Sequence, residues 1–169
     1  MTKSIKLKNG KTTIPVNSVK FAYPYAADEL ERMSAHYGRD CSQLTFKLEL
    51  FNGAEISVVE DAEYLAKNGL ALVSVVKGKM INAHLVAEAN GLSDKDKAYL
   101  DARAGEKKPL KSKVQLMAPD GSKAFVYSTV PHGQFSDRVA TAMERAAALK
   151  TPANDGTVEA SAPEAPAQG

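Results

Sequence analysis

Three times along the chain a run of alternating apolar and polar residues breaks at a dipeptide whose second residue is glycine, and then resumes: at Asn9-Gly10, Asn52-Gly53 and Asp120-Gly121. Alternation at period two marks strands with one buried face, and an Asx-Gly pair between two such runs marks a hairpin. Parity sets each register. A two-residue Asn9-Gly10 loop sets Lys8 against Lys11, Leu7 against Thr12, Lys6 against Thr13 and Ile5 against Ile14, so that Ile5, Leu7 and Ile14 share one face. Pro15 has no N–H to give to a ladder, which places the returning strand at a sheet edge or a bulge. At Asn52-Gly53 a two-residue loop would put Leu50 opposite Glu55. A three-residue loop, Phe51-Asn52-Gly53, pairs Leu50 with Ala54, Leu48 with Ile56 and Phe46 with Val58, and predicts a type I turn with Gly53 left-handed in a G1 bulge. Pro119-Asp120-Gly121 reads the same way, with Leu116 facing Ala124 and Val114 facing Val126. A weaker hairpin at Gly78-Lys79 would pair Val76 with Ile81 and Leu72 with Leu85. These pairs amount to about eight strands.

Helical spacing falls between the hairpins. Leu30, Met33 and Tyr37 recur at three and four residues within Ala26 to Tyr37, ahead of a capping Gly38. Asp61 to Lys67 predicts two turns ending at Asn68-Gly69. Ser93-Asp94-Lys95-Asp96 resembles a capping box, with Asp where Glu or Gln is usual, and opens a helix through about Ala104. Ser136 or Asp137 would cap a last helix through about Lys150, with Val139, Met143 and Ala146 on its inner stripe. The pattern predicts an α+β fold: an antiparallel, hairpin-rich sheet covered by three to four short helices, as a single domain over residues 1–150. From Thr151 the composition changes to Pro152, Pro163, Pro166, five alanines and small polar residues, and Val158 is the one larger aliphatic. Such a segment buries too little apolar surface to offset its chain entropy, so 151–169 is expected to be a flexible tail.

Strand-turn-strand-helix order recurs at 44–67 and 114–149. Identity between the two segments is slight, and these elements are among the commonest ways to cover one face of a sheet, so coincidence is the expected explanation and duplication the alternative.

A body of about 150 residues buries roughly 68–70% of its unfolded surface and needs no staple. The single cysteine, Cys41, excludes an intramolecular disulfide framework. No charged-then-apolar leader opens the chain, and a cytoplasmic protein, or a virion protein if the source is a phage, is the economical expectation. The stretch Asn68 to Val76, which carries no charge, is nine residues long, far short of the roughly 18 that span a bilayer, so no membrane partner is expected. The formal charge is +2, but three of the 20 acidic residues and none of the 22 basic ones lie in 151–169, which leaves +5 on the first 150. Basic charge gathers in two clusters: Lys3, Lys6, Lys8, Lys11 and Lys20, then Lys107, Lys108, Lys111 and Lys113. Lysine is a hydrated point charge suited to phosphate or to solubility, whereas base-edge readout favours arginine, so a solvated, aggregation-resistant edge is the first reading and a nucleic-acid surface the alternative.

Motifs of chemistry are sparse. Gly10-Lys11-Thr12 lacks the glycine five positions earlier that a phosphate loop needs, since Ile5 stands there, and neither GxGxxG nor GxSxG occurs. His36, His84 and His132 are far apart, without a second histidine at i+3 or i+4, so neither a metal nor another cofactor is expected. His36 sits near a helix C-terminus, His84 in an expected strand, and His132 in a Val-Pro-His-Gly-Gln loop that would display it. Acid pairs such as Asp28-Glu29 and Glu60-Asp61 fall at helix starts and complement the helix dipole. Phe21, Tyr23 and Tyr25 around Pro24 form the densest aromatic cluster, expected to pack at a corner and not to stack bases.

Thr45 to Lys67, with Asn52-Gly53, Ile56, Val58 and a short acidic helix, resembles the strand-turn-strand pattern of LytTR-type DNA-binding domains and of small flagellar regulators of the FlbD kind. It covers some 23 residues. DNA binding is what the resemblance implies, yet no base-reading residue carries over, and Glu49, Glu55, Glu60, Asp61 and Glu63 make this segment a poor surface for DNA. The expected function is therefore a non-catalytic binding or structural module, a subunit or accessory of a larger bacterial or phage assembly with a protein partner or its own copies. The alternatives are a DNA-binding regulator using the lysine clusters, and a small enzyme, which would need His132 or His84 joined to a carboxylate or to Cys41.

Overall fold

The computed structural model describes residues 3–103 and 109–150. The expected tail, together with Lys107 and Lys108, lies outside the described residues. Strands β1 (Ser4–Lys6) and β2 (Thr13–Pro15) form a two-stranded sheet, followed by a 3-10 turn (Val16–Ser18), β3 (Val19–Pro24), α1 (Ala27–Tyr37), β4 (Phe46–Leu50), β5 (Glu55–Val58) and α2 (Ala62–Lys67). The same order then repeats: β6 (Leu72–Val76) and β7 (Lys79–Asn82), a 3-10 turn (Ala83–Leu85), β8 (Val86–Gly91), α3 (Asp94–Ala102), β9 (Ser112–Met117), β10 (Lys123–Ser128) and α4 (His132–Lys150). All pairings are antiparallel, in sheets ordered β1-β2, β5-β4-β3-β7-β6 and β10-β9-β8. The fold is α+β as its pattern predicts, with ten strands among the described residues where about eight were expected. The two extra strands, β3 and β8, follow 3-10 turns and pair with β4 and β9 across a helix, so no turn dipeptide announces them.

The recurrence expected only between 44–67 and 114–149 extends over the whole described chain. Leu48 and Leu116, Gly53 and Gly121, and Val58 and Val126 stand 68 positions apart; Ile14 and Ile81, Val19 and Val86, and Ala22 and Ala89 stand 67 apart. Phe46 faces Val58 as Val114 faces Val126, and Leu48 faces Ile56 as Leu116 faces Ala124. Each β3-type strand carries a bulge at the same place, between Val19 and Phe21 and between Val86 and Glu88. Burial follows suit. One apolar cluster holds Ile5, Leu7, Ile14, Val16, Phe46, Leu48, Val58 and Leu65; the other holds Val73, Val75, Ile81, Ala83, Val114, Leu116, Val126 and Phe135. Matching registers, matching bulges and matching core positions, at an offset that changes by a single residue between the two halves of the unit, go beyond shared element order, and we read the chain as two copies of one structural unit.

The copies are joined asymmetrically. β7 of the second unit pairs with β3 of the first, through Phe21 with Ile81 and Ala22 with Met80. The reciprocal pairing of β2 with β8 is not made. Pro15, at the place of Asn82 in β7, removes the donor that such a ladder would use. Asn82 instead reaches across: its buried Nδ2 donates to the carbonyls of Val16 (2.9 Å) and Val19 (3.1 Å), and its Oδ1 accepts from His84 N–H (3.2 Å).

Turn chemistry accounts for the hairpins. Gly53 (φ 82°) and Gly121 (φ 84°) take the left-handed conformation of the expected G1 bulges, and Leu50 and Ala118 N–H donate to the carbonyls of Ala54 and Ser122. The first hairpin keeps its expected register, Ile5 with Ile14 and Lys6 with Thr13, but its loop is wider than two residues. Asn9 stays at negative φ, and its side chain accepts from Lys11 and Thr12 N–H (both 3.0 Å). Lys8 N–H turns instead to the buried carboxylate of Glu60. The fourth hairpin corrects the expected register: Leu72 faces Asn82, Val73 faces Ile81 and Val76 faces Lys79. Gly78 is the residue at positive φ (80°), so the turn closes on Lys77-Gly78 and the extra residue becomes a bulge between Ser74 and Val76. Leu85 and His84 leave the strand for the 3-10 turn, which carries Leu85 into the core.

Helices α2 and α3 start as expected, with Asp61 accepting from Tyr64 N–H (2.7 Å) and a reciprocal Ser93/Asp96 capping box. Helix α4 begins at His132, so its flanking residue is Pro131, five residues ahead of Ser136 and six ahead of Asp137, and the Pro131 carbonyl accepts from Phe135 N–H (3.0 Å). Starting there seats Phe135 in the core, and the inner stripe becomes Phe135, Val139, Ala142 and Ala146, with Met143 turned outward at 38% exposure. Helix α1, capped by Gly38 as expected, buries none of its residues. It connects the neighbouring strands β3 and β4 and is pinned where Cys41 N–H donates to Ser34 Oγ (2.9 Å). Among the described residues no helix is long and apolar enough to cross a membrane.

Candidate binding face on the second sheet

The pleat of β8, β9 and β10 turns Val114, Leu116, Ala124 and Val126 toward the core and leaves Lys113, Gln115 and Met117 of β9 and Lys123, Phe125 and Tyr127 of β10 on the other side. Phe125 lies opposite Gln115, and Tyr127 opposite Lys113. Across β9 stand Glu88 and Asn90 of β8, paired with Gln115 and Lys113. The Phe125 ring is 55% exposed and borders an open depression of about 300 Å³ that Glu88, Asn90, Lys113 and Gln115 also line. Phenylalanine has no polar atom to justify that exposure. Among the described residues the Asn90 and Gln115 amides and the Glu88 carboxylate make no hydrogen bond or ion pair; their polar atoms face solvent around the ring.

One corner of the face is fixed. Asp96, the third residue of α3 and the partner of its Ser93 cap, accepts from Lys113 Nζ (2.9 Å), from Tyr127 Oη (3.1 Å) and from Ser93 Oγ (2.6 Å). The Ser93 hydrogen bonds first, then the Lys113 ammonium, hold its carboxyl well below the usual carboxylate range. Asp96 in turn raises the Lys113 pKa, while partial burial and then Asp96 raise that of Tyr127. Lys113 Nζ therefore stays charged 5.0 Å from the Phe125 ring. Tyr99 on α3, 43% exposed, lies beside Tyr127 with ring centroids 6.3 Å apart, and the Arg103 guanidinium sits 4.2 Å over Tyr99.

Replacing Asp96 by Asn is expected to lower stability at neutral pH by loosening the α3 start and this corner together. The folded-state pKa is depressed, so the contribution is fully present above the unfolded carboxyl value of about 3.9 and is lost as pH falls through the folded value. Urea unfolding at pH 7 and at successively lower pH should show the gap between wild type and Asp96→Asn closing only in acid. A gap that persists unchanged below the folded value would mean that the carboxylate charge plays no part.

The matching face of the first unit is closed by its own side chains together with Lys79 of the second. Tyr23 Oη donates to Glu49 (2.9 Å), Lys20 pairs with Glu49 (2.7 Å), Lys47 with Glu55 (3.2 Å), and the Tyr25 and Ser57 hydroxyls share a hydrogen bond (2.7 Å). Lys79 Nζ covers Phe21 at 4.0 Å. Burial first, and Glu49 second, raise the Tyr23 pKa far above its ordinary value; hydrogen bonds from Lys20 and Tyr23 outweigh partial burial and lower that of Glu49. The aromatic cluster at Phe21, Tyr23 and Tyr25 is thus packed and internally bonded, as expected of a corner. Where the first unit has Tyr23, Lys47 and Ser57, all engaged, the second has Asn90, Gln115 and Phe125, all open.

The lysines expected to form a nucleic-acid surface are divided between sheets. Lys3, Lys6, Lys8 and Lys11 belong to the β1-β2 hairpin and its flanks, with Lys8 Nζ held 5.2 Å over the Tyr64 ring. Lys20 and Lys113 are tied to Glu49 and Asp96. Lys111 stands exposed just before β9. The three histidines occupy three elements: His36 packs edge-on to Tyr37 in α1, His84 is in a 3-10 turn, and His132 opens α4 beside Gly91 and is not in the expected loop. Burial first, then the Lys3 charge, lowers the His84 pKa against a bond to the Gly69 backbone. Cys41 is buried. Among the described residues no group of three His, Cys, Asp or Glu is placed to hold a metal. An apolar cleft of about 430 Å³ lies between α2, β6 and α4, walled by Leu70, Leu72, Met80, Ala142 and Leu149. Among the described residues, the charged groups that reach it come from α2 and α4: Glu63, Asp137, Arg138 and Arg145.

No protein-family profile matches the chain, and neither a curated protein nor a solved structure is similar to it.

Proposed function

We propose that the protein is a non-catalytic binding module, a component of a larger assembly, and that it engages its partner through the outer face of β8, β9 and β10. One observation carries this reading: an exposed Phe125 ring surrounded by the unbonded polar groups of Glu88, Asn90 and Gln115, on a unit whose twin bonds Tyr23, Lys47 and Ser57, the counterparts of Asn90, Gln115 and Phe125, to neighbouring side chains. Exposed aromatic residues among free hydrogen-bonding side chains are the composition of a contact surface. The reactive residue types point the same way, because the histidines are dispersed over three elements and the one thiol is buried. The regulator reading, with lysine clusters on duplex DNA, draws less support, since Lys20 and Lys113 spend their charge on Glu49 and Asp96.

The test is the native mass of the protein purified from the cells that make it. Wild type is expected well above the 18.1 kDa of one chain, and Phe125→Ser at that mass, with an unchanged circular dichroism spectrum. A wild type free of bound material, or a Phe125→Ser variant that keeps its full complex, overturns the reading.

A further inference from the structure

We infer that the partner held on this face is single-stranded nucleic acid, with a base stacked on Phe125 and its edge read by Asn90, Gln115 and Glu88. The inference rests on the binding-module reading and adds the ligand's chemistry.

The shape asks for a flat, partly apolar group. Phe125 and Tyr127 project from one strand two residues apart, about 7 Å, and Tyr99 continues the aromatic row from α3. A pleated sheet displaying aromatic rings is a stacking platform, and stacking accepts any base because every base has a π-face. The hydrogen-bonding groups beside the ring suit a base edge. A side-chain amide gives one donor and one acceptor side by side, the match for a purine's ring nitrogen and amino group, and a carboxylate accepts from exocyclic amines. An apolar protein surface would leave three such groups desolvated and unpaired, at a cost.

Charge points to a polyanion, not to a neutral planar ligand such as a sugar ring. Lys123 and Lys111, both exposed, lie toward opposite ends of the strand pair, and Arg103 caps the row at Tyr99. Cations at both ends of an aromatic row can follow the phosphates of a strand whose bases lie on the rings. Bases inside a duplex are already stacked on one another and cannot offer a face to Phe125, which selects the single strand.

The chain has no tryptophan, so Phe125→Trp installs a lone indole at the centre of the face. Single-stranded DNA and RNA homopolymers of about twelve nucleotides are expected to quench its emission on titration at low salt. By fluorescence anisotropy the wild type should bind the same strands with affinity that falls as salt rises. Phe125→Ala should weaken binding roughly tenfold or more. Asn90→Ala and Gln115→Ala should alter the order of preference among the bases, and Ser57→Ala, the matching position in the first unit, should change nothing. The exposure of position 125 keeps the core intact, and the urea midpoint verifies it. Failure of every homopolymer to bind, binding indifferent to Phe125→Ala, duplex bound as tightly as single strands, or quenching by a neutral oligosaccharide without salt dependence each overturn the inference. If it fails while Phe125→Ser still dissolves the native complex, the face binds another partner and the module reading stands; if Phe125→Ser leaves that complex whole, both fall.

Discussion

Phe135→Ala is expected to destabilise the protein by about 4 kcal/mol and to lower the melting temperature by roughly 10 °C. Phe135 is fully buried and heads the inner stripe of α4, where it enters the cluster formed by Val114, Leu116 and Val126. Truncation removes a whole ring from a site bounded by strands on one side and its own helix on the other, so little can collapse into the space. The damage should begin in the second unit. Hydrogen exchange of the variant is expected to speed up in β9, β10 and α4 before β4 and β5, whose core is a separate cluster around Leu48 and Leu65. Equal acceleration in both units would show that the two clusters unfold as one.

The second large effect is expected at Asn82, whose side chain reinforces the β3-β7 joint between the units. Asn82→Ala leaves buried carbonyl groups at Val16 and Val19 without that donor and His84 N–H without its acceptor. Such losses cost about 3 kcal/mol together. Asn82→Asp, closer in shape, is expected to be worse than Ala: it keeps the acceptor for His84 N–H but replaces the donating amide with a carboxylate oxygen aimed at two carbonyl oxygens, and a buried charge with that single donor is costlier than a small void. Urea denaturation of both variants measures the order. An aspartate as stable as wild type would mean that the two carbonyls accept little from Nδ2.

How far the chain was legible follows from the range of the interactions involved. The hairpins at Asn52-Gly53 and Asp120-Gly121 were readable to the residue, because a type I turn and its G1 bulge are decided within five residues and the parity of Phe46 to Leu50 or Val114 to Leu116 admits one register. At Gly78 the same reasoning shifted the turn by one residue, since the bulge that absorbs the difference is stabilised by Ile81 meeting Val73 and Phe21. Helix α4 starts ahead of the Ser136 and Asp137 cap signals because those signals are local, whereas the burial of Phe135 in a cluster with Val114, Leu116 and Val126 is not.

The candidate face shows the same division. Once Val114 and Val126 are inward, parity alone sends Phe125 and Tyr127 outward with Lys113 and Gln115, so the aromatic row was present in the alternation and went unread. What alternation does not contain is whether an outward group finds a partner. Tyr23 meets Glu49 26 positions away, and Tyr127 meets Asp96 31 positions away.

By itself, then, the order of residues determined the α+β class, the hairpin turns, the helix caps and the inward or outward sense of most strand positions, all fixed by backbone conformations and periodicities within a few residues. Only the tertiary structure decided that the elements form two copies of one unit, that Asn82 joins them where Pro15 cannot, and that one outer face is closed by its own ion pairs while the other remains open. Those outcomes depend on which distant side chains come within hydrogen-bonding reach, a property of the packed chain and not of any short stretch of it.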